Sequence, residues 1–304
     1  MVPGWVSISS AVQEALESGE PVCALETTIL THGLPRPENY DVAVAAEEEV
    51  RAAGAVPATI GVLDGTVKVG MGRSEIRRLA EMPDAAKIGR RELAVAAALG
   101  LSGGCTVSGT CTVASAVGIG VMATGGIGGV HRGVEATGDI SADLLALAVC
   151  SMVVVCSGPK SILDVPKTLE LLETLSVPIV GYGTDTVPLF YVRSSPYKVT
   201  CCTESPAQIG RIARAARDLG LAGAVLVVNP VPEDAAMDSS RLEESLRRGE
   251  SSAQREGISG QRVTPYLLDW IHRETHGASL RANVALMKSN ARLAGLIARH
   301  LAKV

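Results

Sequence analysis

Short apolar runs that alternate with helix-like segments most strongly restrict the fold of this chain. Strand-like runs, rich in Val, Ile and Leu, lie at residues 21–30, 118–125, 152–156, 177–183 and 223–229. Segments with helical spacing of apolar residues lie at 40–54, 73–81, 90–100, 139–149, 166–175 and 206–219. Strands that are apolar on both faces are typical of parallel sheets covered by helices. The alternation therefore predicts an α/β fold with three α/β/α layers and a mostly parallel central sheet.

Smaller features complete the prediction. An Asp-Gly turn within residues 57–70 indicates a hairpin. Short strands are expected at 86–88, 104–109 and 197–202. Residues 239–302 read as a helical C-terminal third, interrupted near Gly257–Gly260 and at Gly277. Because nothing in the chain resembles a linker, we expect residues 1–304 to form a single catalytic domain.

Charge and cysteine content argue against several classes of protein. The net charge is −4 and no basic block occurs, so we expect no nucleic-acid partner. Residues 93–130 lack charge but contain ten glycines, which indicates buried strands and a buried helix rather than a membrane span. The seven cysteines include no CxxC pair and the N-terminus lacks a secretory pattern, so a reducing, cytoplasmic location is expected.

Polar residues follow the apolar runs, at the positions where open α/β sheets bind ligands. They are Glu26, Lys87, Thr106, Thr124, Lys160 and Asn229. Lys160 follows residues 152–156 and "SGP", ahead of a predicted helix. A desolvated lysine there would be a neutral amine able to form a Schiff base with a carbonyl. A surface lysine in a loop is the alternative, and it is the commoner case.

Two further motifs allow two readings each. The loop "TGGIGGVHRG" at 124–133 has five glycines and ends near His131 and Arg132. Such a loop suits phosphate, although glycines also occur where backbones pack closely. In "DISAD", Asp139 and Asp143 would share a helix face if the helix begins at Asp139. They are either a cap and a first-turn carboxylate, or ligands for Mg²⁺ or Mn²⁺.

Several motifs together resemble the pseudouridine-5′-phosphate glycosidase family over nearly the whole chain. They are "ALETTILTHGLPRPEN", "GAVPATI", "ATGGIGGVHRG", "DISADL", "GPKSILD", "LETLSVPIVGY", "NPVPE" and "SLRANVAL". The resemblance implies reversible cleavage of the C–C bond between uracil and ribose 5-phosphate in pseudouridine 5′-phosphate, by a carbon–oxygen lyase of the pseudouridylate synthase type. It implies that Lys160 is the nucleophile, that Glu26 is the proton donor, and that Asp139 holds a divalent metal, typically Mn²⁺. It also implies a homotrimer.

The resemblance and the strand ends together predict the residues that contact substrate. They are Lys87, Thr106, Val107, Thr124, His131, Ser141, Ala142, Asp143 and Asn283. Pro159, Cys105 and Gly89 depart from the family's commoner Ala, Thr and Ser, and so does the "MKSNAR" segment around Asn290. These departures affect expected substrate contacts without removing a catalytic group.

The implied chemistry explains why a lysine is needed. A C–C glycosidic bond has no heteroatom to protonate, so the two carboxylates of ordinary glycosidases are insufficient. An iminium between Lys160 and C1′ of ring-opened ribose would act as an electron sink. Two alternatives remain: an aldolase-like Schiff-base lyase acting on another sugar phosphate, and a non-catalytic regulator that binds a sugar phosphate. The combination of Lys160, Glu26 and Asp139 argues against the regulator.

Overall fold

A computed structural model describes residues 4–258 and 263–302. The strands are β1 Val6–Ile8, β2 Val22–Leu25, β3 Val56–Leu63, β4 Thr66–Val69, β5 Ala86–Ile88, β6 Gly103–Cys105, β7 Val121–Ala123, β8 Val153–Cys156, β9 Ile179–Tyr182, β10 Cys201–Thr203 and β11 Val225–Val228. The helices are α1 Ser10–Ser18, α2 Glu38–Ala52, α3 Arg73–Glu81, α4 Leu93–Ala98, α5 Val107–Ala116, α6 Val134–Thr137, α7 Ala142–Val149, α8 Val165–Thr174, α9 Pro206–Asp218, α10 Ser239–Arg255, α11 Val263–Glu274 and α12 Ala278–Leu301. A π-helical turn spans Ile29–Gly33 and a 3₁₀ turn spans Glu233–Ala235.

The strands form one sheet in the order β1-β4-β3-β2-β7-β8-β11-β9-β10, with β6 also pairing with β3 and β5 pairing with β6. Only the β3–β4 and β3–β6 pairs are antiparallel among the described strands. The first of these is the hairpin predicted at the Asp-Gly turn. The mostly parallel sheet confirms the predicted fold class.

Alternate residues of the central strands pack into two separate apolar clusters. In β8, Val154 faces the cluster that contains residues of α1, α5 and α7, whereas Val153 and Val155 face the cluster that contains α2, α9 and α12. This period of two, with both faces buried, is the physical basis of the continuous apolar runs in the sequence. Helices therefore cover both faces of the sheet.

The C-terminal third is helical, as predicted. Helix α12 packs against α2 and α9 and also contacts β2, β7 and β8. The interruptions fall at Gly257 and Gly277, both with positive φ, while Gly260 lies outside the described residues. No helix within the described residues is both long and apolar enough to span a membrane.

Several sequence-based boundaries were wrong. The predicted strand 104–109 ends at Cys105, because the Thr106 hydroxyl accepts a hydrogen bond from the Gly109 N–H and starts α5. The helix predicted at 139–149 begins at Ala142 with Ser141 as its N-cap, so Asp139 precedes the helix and does not share a helical face with Asp143. The run 197–202 contributes only its last two residues to β10.

Candidate active site

Three neighbouring strands end at the same edge of the sheet and bring their following residues together. Strands β2, β7 and β8 lie side by side and are parallel. Glu26 follows β2, Thr124 follows β7, and Ser157 begins the loop that carries Lys160 after β8. The sequence expectation that polar residues after apolar runs share a site is met by this arrangement.

Glu26 is buried, and both of its carboxylate oxygens are held. The Thr124 hydroxyl donates to Oε1 over 2.7 Å, and the Thr28 N–H donates to Oε2 over 3.1 Å. Burial raises the pKa of the Glu26 carboxyl, and nearby Asp143 acts in the same direction, while Lys160 and the two hydrogen bonds oppose the rise. A carboxyl group with a raised pKa keeps its proton to higher pH than an ordinary carboxyl group, which suits a proton donor.

The Lys160 loop is shaped by its backbone. Gly158 has φ +87°, and an added Cβ there would lie 2.0 Å from the carbonyl oxygen of Pro188. The Lys160 N–H donates to the Ile127 carbonyl over 3.1 Å, which anchors the loop to the end of β7. Lys160 is half-buried, and its Nζ has no hydrogen-bond or ion-pair partner among the described residues. The amine is therefore free to meet a ligand.

Asp143 is buried and joins two loops. Its oxygens accept hydrogen bonds of 2.9 Å from the N–H groups of Ser108 and Gly128. Ser141 is half-buried, and its hydroxyl accepts from the Asp143 N–H over 3.2 Å. Asp143 thus fixes the start of α5 against the glycine-rich loop, and its predicted contact with substrate stays a prediction.

The neighbours of Asp143 differ in what they offer a ligand. Ala142 is exposed at the start of α7, and Thr106 is half-buried at the N-cap of α5. The Val107 side chain packs in the core, so a ligand could reach only its backbone N–H at the first turn of α5.

Two further basic residues, Lys87 and His131, face this edge. Lys87 lies in β5 and is exposed to solvent, but partial desolvation, together with nearby Lys160, lowers the pKa of its amine. Desolvation also lowers the pKa of His131, as do Lys87 and Lys160, whereas Asp139 opposes this effect. An amine and an imidazole that have no ion-pair partner among the described residues are suited to bind a phosphate.

The glycine-rich loop owes its composition largely to close packing. A Cβ at Gly126 would lie 2.5 Å from Phe190, at Gly128 2.3 Å from Ser141, and at Gly129 2.4 Å from Thr168. Backbone N–H groups in this loop are used within the protein: those of residues 124, 127, 128, 130 and 131 all have protein acceptors. Arg132 forms ion pairs with Glu243 and Glu250, so its charge is compensated there.

Asp139 lies beside His131, and Asn283 lies beside Gly125, at opposite ends of the glycine-rich loop. Asp139 is half-buried, its carbonyl accepts from the His131 N–H over 3.1 Å, and its carboxylate accepts no hydrogen bond from the described residues. Asn283 is buried on α12, with its Oδ1 against Gly125. Among the described residues, no group of three or more Asp, Glu, His or Cys could enclose a metal.

Sequence reasoning missed residues that support the site. Thr27 is fully buried; its hydroxyl donates to the Ile60 carbonyl over 2.6 Å and accepts from the Cys105 N–H over 2.9 Å. His32 lies near Lys87, and desolvation together with Lys87 lowers its pKa. Both lie within "ETTILTHG", but that segment gives no periodic signal that distinguishes a supporting side chain from a catalytic one.

A separate cleft of about 670 Å³ lies between the beginnings of α10 and α12 and is lined by Arg241, Arg248 and Arg281, among others. Neither Glu26 nor Lys160 lines it. Arg248 is paired with Glu274, and acidic residues balance the cleft's other cations. The strand ends, where acid, amines and imidazole meet, are therefore the candidate active site.

Known proteins resemble this chain over nearly its whole length. A sequence profile described as "Indigoidine synthase A like protein" matches residues 11–300. The pseudouridine-5′-phosphate glycosidase of Dinoroseobacter shibae is 47% identical over 98% of this chain and 97% of that protein. The enzyme of the same name from Streptomyces griseus is 49% identical over 96% of this chain and 90% of its own length.

Two solved structures share the fold closely. The prealnumycin C-glycosynthase AlnA, in complex with ribulose 5-phosphate, superimposes with a TM-score of 0.92 at 38% identity, covering 99% of this chain and 98% of that one. An indigoidine synthase A-like protein of Thermotoga maritima gives a TM-score of 0.89 at 36% identity, covering 98% and 97%. On this near full-length similarity, the chain belongs to the pseudouridine-5′-phosphate glycosidase family, within the group described as Indigoidine synthase A like proteins.

Proposed function

We propose that this protein catalyses reversible cleavage of the C–C glycosidic bond of pseudouridine 5′-phosphate, releasing uracil and ribose 5-phosphate. The observation that carries the proposal is the placement of buried Glu26 and half-buried Lys160 at the ends of strands β2 and β8, which flank β7. Relatives that are 42–49% identical over nearly the whole chain bear the name of this activity. A structural relative binds ribulose 5-phosphate, a sugar phosphate of the same size class.

In the proposed mechanism, Lys160 supplies an amine to C1′ after the ribose ring opens. Glu26, which Thr124 and Thr28 hold, moves protons during ring opening and at C5 of uracil. When the C1′–C5 bond breaks, its electron pair stays with the uracil ring, and the nitrogen lone pair forms a C=N bond to C1′. The uracil ring is therefore the electron sink in this scheme, and the iminium expected from the sequence is the product of bond cleavage. Water then hydrolyses this iminium, which releases ribose 5-phosphate and restores the Lys160 amine.

The proposed phosphate site combines the side chains of Lys87 and His131 with the glycine-rich loop. Lys87 and His131 lie near Lys160, and five of the loop's ten N–H groups, those of residues 124, 127, 128, 130 and 131, already have acceptors among the described residues. A phosphate beside Lys87 would place negative charge next to an amine whose charged form Lys160 disfavours. Asn283 and the exposed start of α7 are positioned to contact the remainder of the ligand.

We also propose a divalent cation, typically Mn²⁺, at Asp139. The Asp139 carboxylate, which accepts no hydrogen bond from the described residues, would supply one ligand to a hard cation that keeps several waters and is shared with the ligand's phosphate. Such an ion would offset phosphate charge when bound. EDTA should abolish turnover and Mn²⁺ should restore it. Asp139→Asn should also weaken Mn²⁺ binding measured by electron paramagnetic resonance in the presence of ribose 5-phosphate, whereas unchanged binding would remove Asp139 from the site.

The direct test is incubation with pseudouridine 5′-phosphate and Mn²⁺, followed by chromatography for free uracil. Release of uracil with ribose 5-phosphate supports the proposal. Cleavage only of other sugar phosphates would favour an aldolase-like lyase, and binding without turnover would favour a regulator. The formal carbon–oxygen lyase class belongs to this proposal, because the reverse reaction joins uracil and ribose 5-phosphate with loss of water.

Assembly and location are part of the same proposal. Ile140, Leu145 and Val149 are exposed apolar residues at and beside α7, which supports burial against a second copy in a homotrimer. Light scattering at several protein concentrations tests the trimer, and a monomer throughout would exclude it. All seven cysteines are free thiols, which is consistent with a reducing, cytoplasmic location.

A further inference from the structure

The amide of Asn290 is fully buried on α12 and lies against the ends of three strands. Its Nδ2 donates to the carbonyls of Thr124 and Gly125, over 2.9 and 3.4 Å. Carbonyl oxygens can only accept, which fixes the orientation of the amide. Its Oδ1 accepts a hydrogen bond of 3.0 Å from Nδ2 of Asn229, the residue that follows β11. The amide thus joins the ends of β7 and β11.

The same amide also reaches the loop that carries Lys160. Nδ2 of Asn290 lies 3.1 Å from the Ser157 hydroxyl. Ser157 is itself fixed, since its N–H donates to the Gly125 carbonyl over 2.9 Å and its carbonyl accepts from the Phe190 N–H over 2.9 Å. Only Gly158 and Pro159 separate Ser157 from Lys160. Asn290 therefore holds both Thr124, which binds Glu26, and the residue at the root of the Lys160 loop.

We infer that Asn290 is a positioning residue for the candidate active site. Through Thr124 it fixes the position of Glu26, the proposed proton donor. Through Ser157 it fixes the position of Lys160, the proposed nucleophile. The inference rests on the proposed function for the roles of Glu26 and Lys160. Only a short amide fits: an apolar side chain would leave the Thr124 carbonyl and the Asn229 amide without partners, and Asp would lose the donor. A polar group with all its partners satisfied rigidifies its surroundings.

Ser289 supplies a matched control from the same helix. Its hydroxyl accepts from Nδ2 of Asn229 over 2.9 Å, so it belongs to the same hydrogen-bond cluster. Within the described residues it contacts neither Thr124 nor Ser157 by hydrogen bond. Ser289→Ala should perturb Asn229 as Asn290→Ala does, but should leave the placement of Glu26 and Lys160 intact.

The kinetic experiment compares Asn290→Ala with Ser289→Ala. Because Asn290 acts on geometry, Asn290→Ala should lower kcat about tenfold to a hundredfold. KM should change little, and trapping of the sugar adduct by borohydride should slow in parallel. Ser289→Ala should keep both values near those of the wild-type protein. If Asn290→Ala is insoluble, Asn290→Ser, which leaves a small polar group, carries the same expectation.

The dependence of kcat on pH distinguishes a role of Asn290 in positioning Glu26 from a role in stabilising the fold alone. The Thr124 hydroxyl opposes the rise in the pKa of Glu26, so loosening Thr124 should move the Glu26 limb of the kcat profile to higher pH. The other titratable groups near Glu26 are Lys160, Asp143, Lys87, Cys105 and Cys111. Thr124→Val should produce the same shift, and combining it with Asn290→Ala should add little, because both act through one contact.

A turnover-independent measurement keeps the two proposals distinguishable. The carboxyl carbon of Glu26 can be titrated by NMR in protein labelled with ¹³C-glutamate, with Glu26→Gln identifying the signal. If the wild-type protein fails to cleave pseudouridine 5′-phosphate, the proposed function fails, but a higher Glu26 pKa in Asn290→Ala would still support positioning. A lower melting temperature with unchanged kcat, pH profile and Glu26 titration would show that Asn290 is only structural.

Discussion

The Thr124 hydroxyl lies 2.7 Å from Oε1 of Glu26 and donates a hydrogen bond to it, in a place where the carboxyl group is buried. Thr124 and Glu26 are 98 residues apart in sequence and follow adjacent parallel strands. The hydroxyl orients the carboxyl group without supplying charge, while burial keeps the pKa of that group raised. This pairing provides a fixed acid at the end of the sheet.

We expect Glu26→Gln to lose most activity while remaining folded. The amide keeps the size of the side chain but cannot transfer a proton, and losing a general acid or base typically costs about 10²–10⁴-fold in rate. Steady-state kinetics with circular dichroism measures both effects. Retained turnover in the folded variant would assign proton transfer to another group.

The same substitution should alter the pH dependence of stability. The folded-state pKa of Glu26 lies above its ordinary value of 4.5, so its contribution to stability is full below that value and is lost as pH rises through the folded pKa. Gln does not titrate. The free energy of unfolding of Glu26→Gln, measured in urea, should therefore improve relative to wild type as pH rises from about 4.5. A constant difference across this range would contradict the raised pKa.

Lys160 should form a covalent adduct with the sugar phosphate. Borohydride added during turnover, or with ribose 5-phosphate and uracil, should fix one ribose phosphate on the peptide that contains Lys160, as read by mass spectrometry. Lys160→Ala should lose adduct and turnover, and Lys160→Arg should not rescue them because guanidinium stays charged. An adduct on Lys87, or normal turnover by Lys160→Ala, would overturn the mechanism.

The layered fold follows from the sequence because its signals are local. The runs at 152–156 and 223–229 are apolar on both faces, and the structure buries both faces in β8 and β11. Boundaries failed where one hydrogen bond decides the conformation, as at the Thr106 N-cap. The short elements β1 and α6 were not predicted, since three or four residues carry too little periodicity to detect.

The candidate site was less accessible to sequence reasoning than the fold. The positions of Glu26, Thr124 and Lys160 just after predicted strands indicated that they belong to a site. These residues lie close together because parallel strands end at the same edge of the sheet. The glycine-rich loop left two readings open, and contacts such as that of Gly126 with Phe190 favour close packing. Such contacts, like those of Asn290, join residues far apart in the chain and leave no local pattern.

The protein should require the 5′-phosphate to recognise its substrate, and Lys87 is the proposed phosphate contact that we would test. An unphosphorylated ligand leaves Lys87 and half-buried His131 without a charge partner, so kcat/KM for pseudouridine should be far below that for its 5′-phosphate. Lys87→Met should raise KM for the phosphate and reduce this preference. Because desolvation and Lys160 lower the pKa of Lys87, KM should rise with pH below the ordinary lysine value of 10.5. Equal kcat/KM for both ligands would contradict a phosphate site.

Gly158→Ala should be much more damaging than Gly133→Ala, although both glycines have positive φ, +87° and +76°. At Gly133 an added Cβ meets nothing within 4 Å, so only backbone strain of about 1–2 kcal/mol is expected. At Gly158 the Cβ would lie 2.0 Å from the Pro188 carbonyl oxygen, a backbone atom that cannot move aside without shifting its segment. Overpacking adds about 1–3 kcal/mol to the strain, and the displaced loop carries Lys160 two residues later.

Urea unfolding and kinetics at a temperature where both variants are folded test this comparison. Gly158→Ala should lose more stability than Gly133→Ala, and its kcat and rate of adduct trapping should fall, because the amine moves away from C1′. Gly133→Ala should lose less kcat than Gly158→Ala, since its added Cβ meets nothing within 4 Å and displaces no neighbouring backbone. Equal losses of stability, or undiminished adduct formation by Gly158→Ala, would show that the tight approach of Gly158 to Pro188 does not position the lysine.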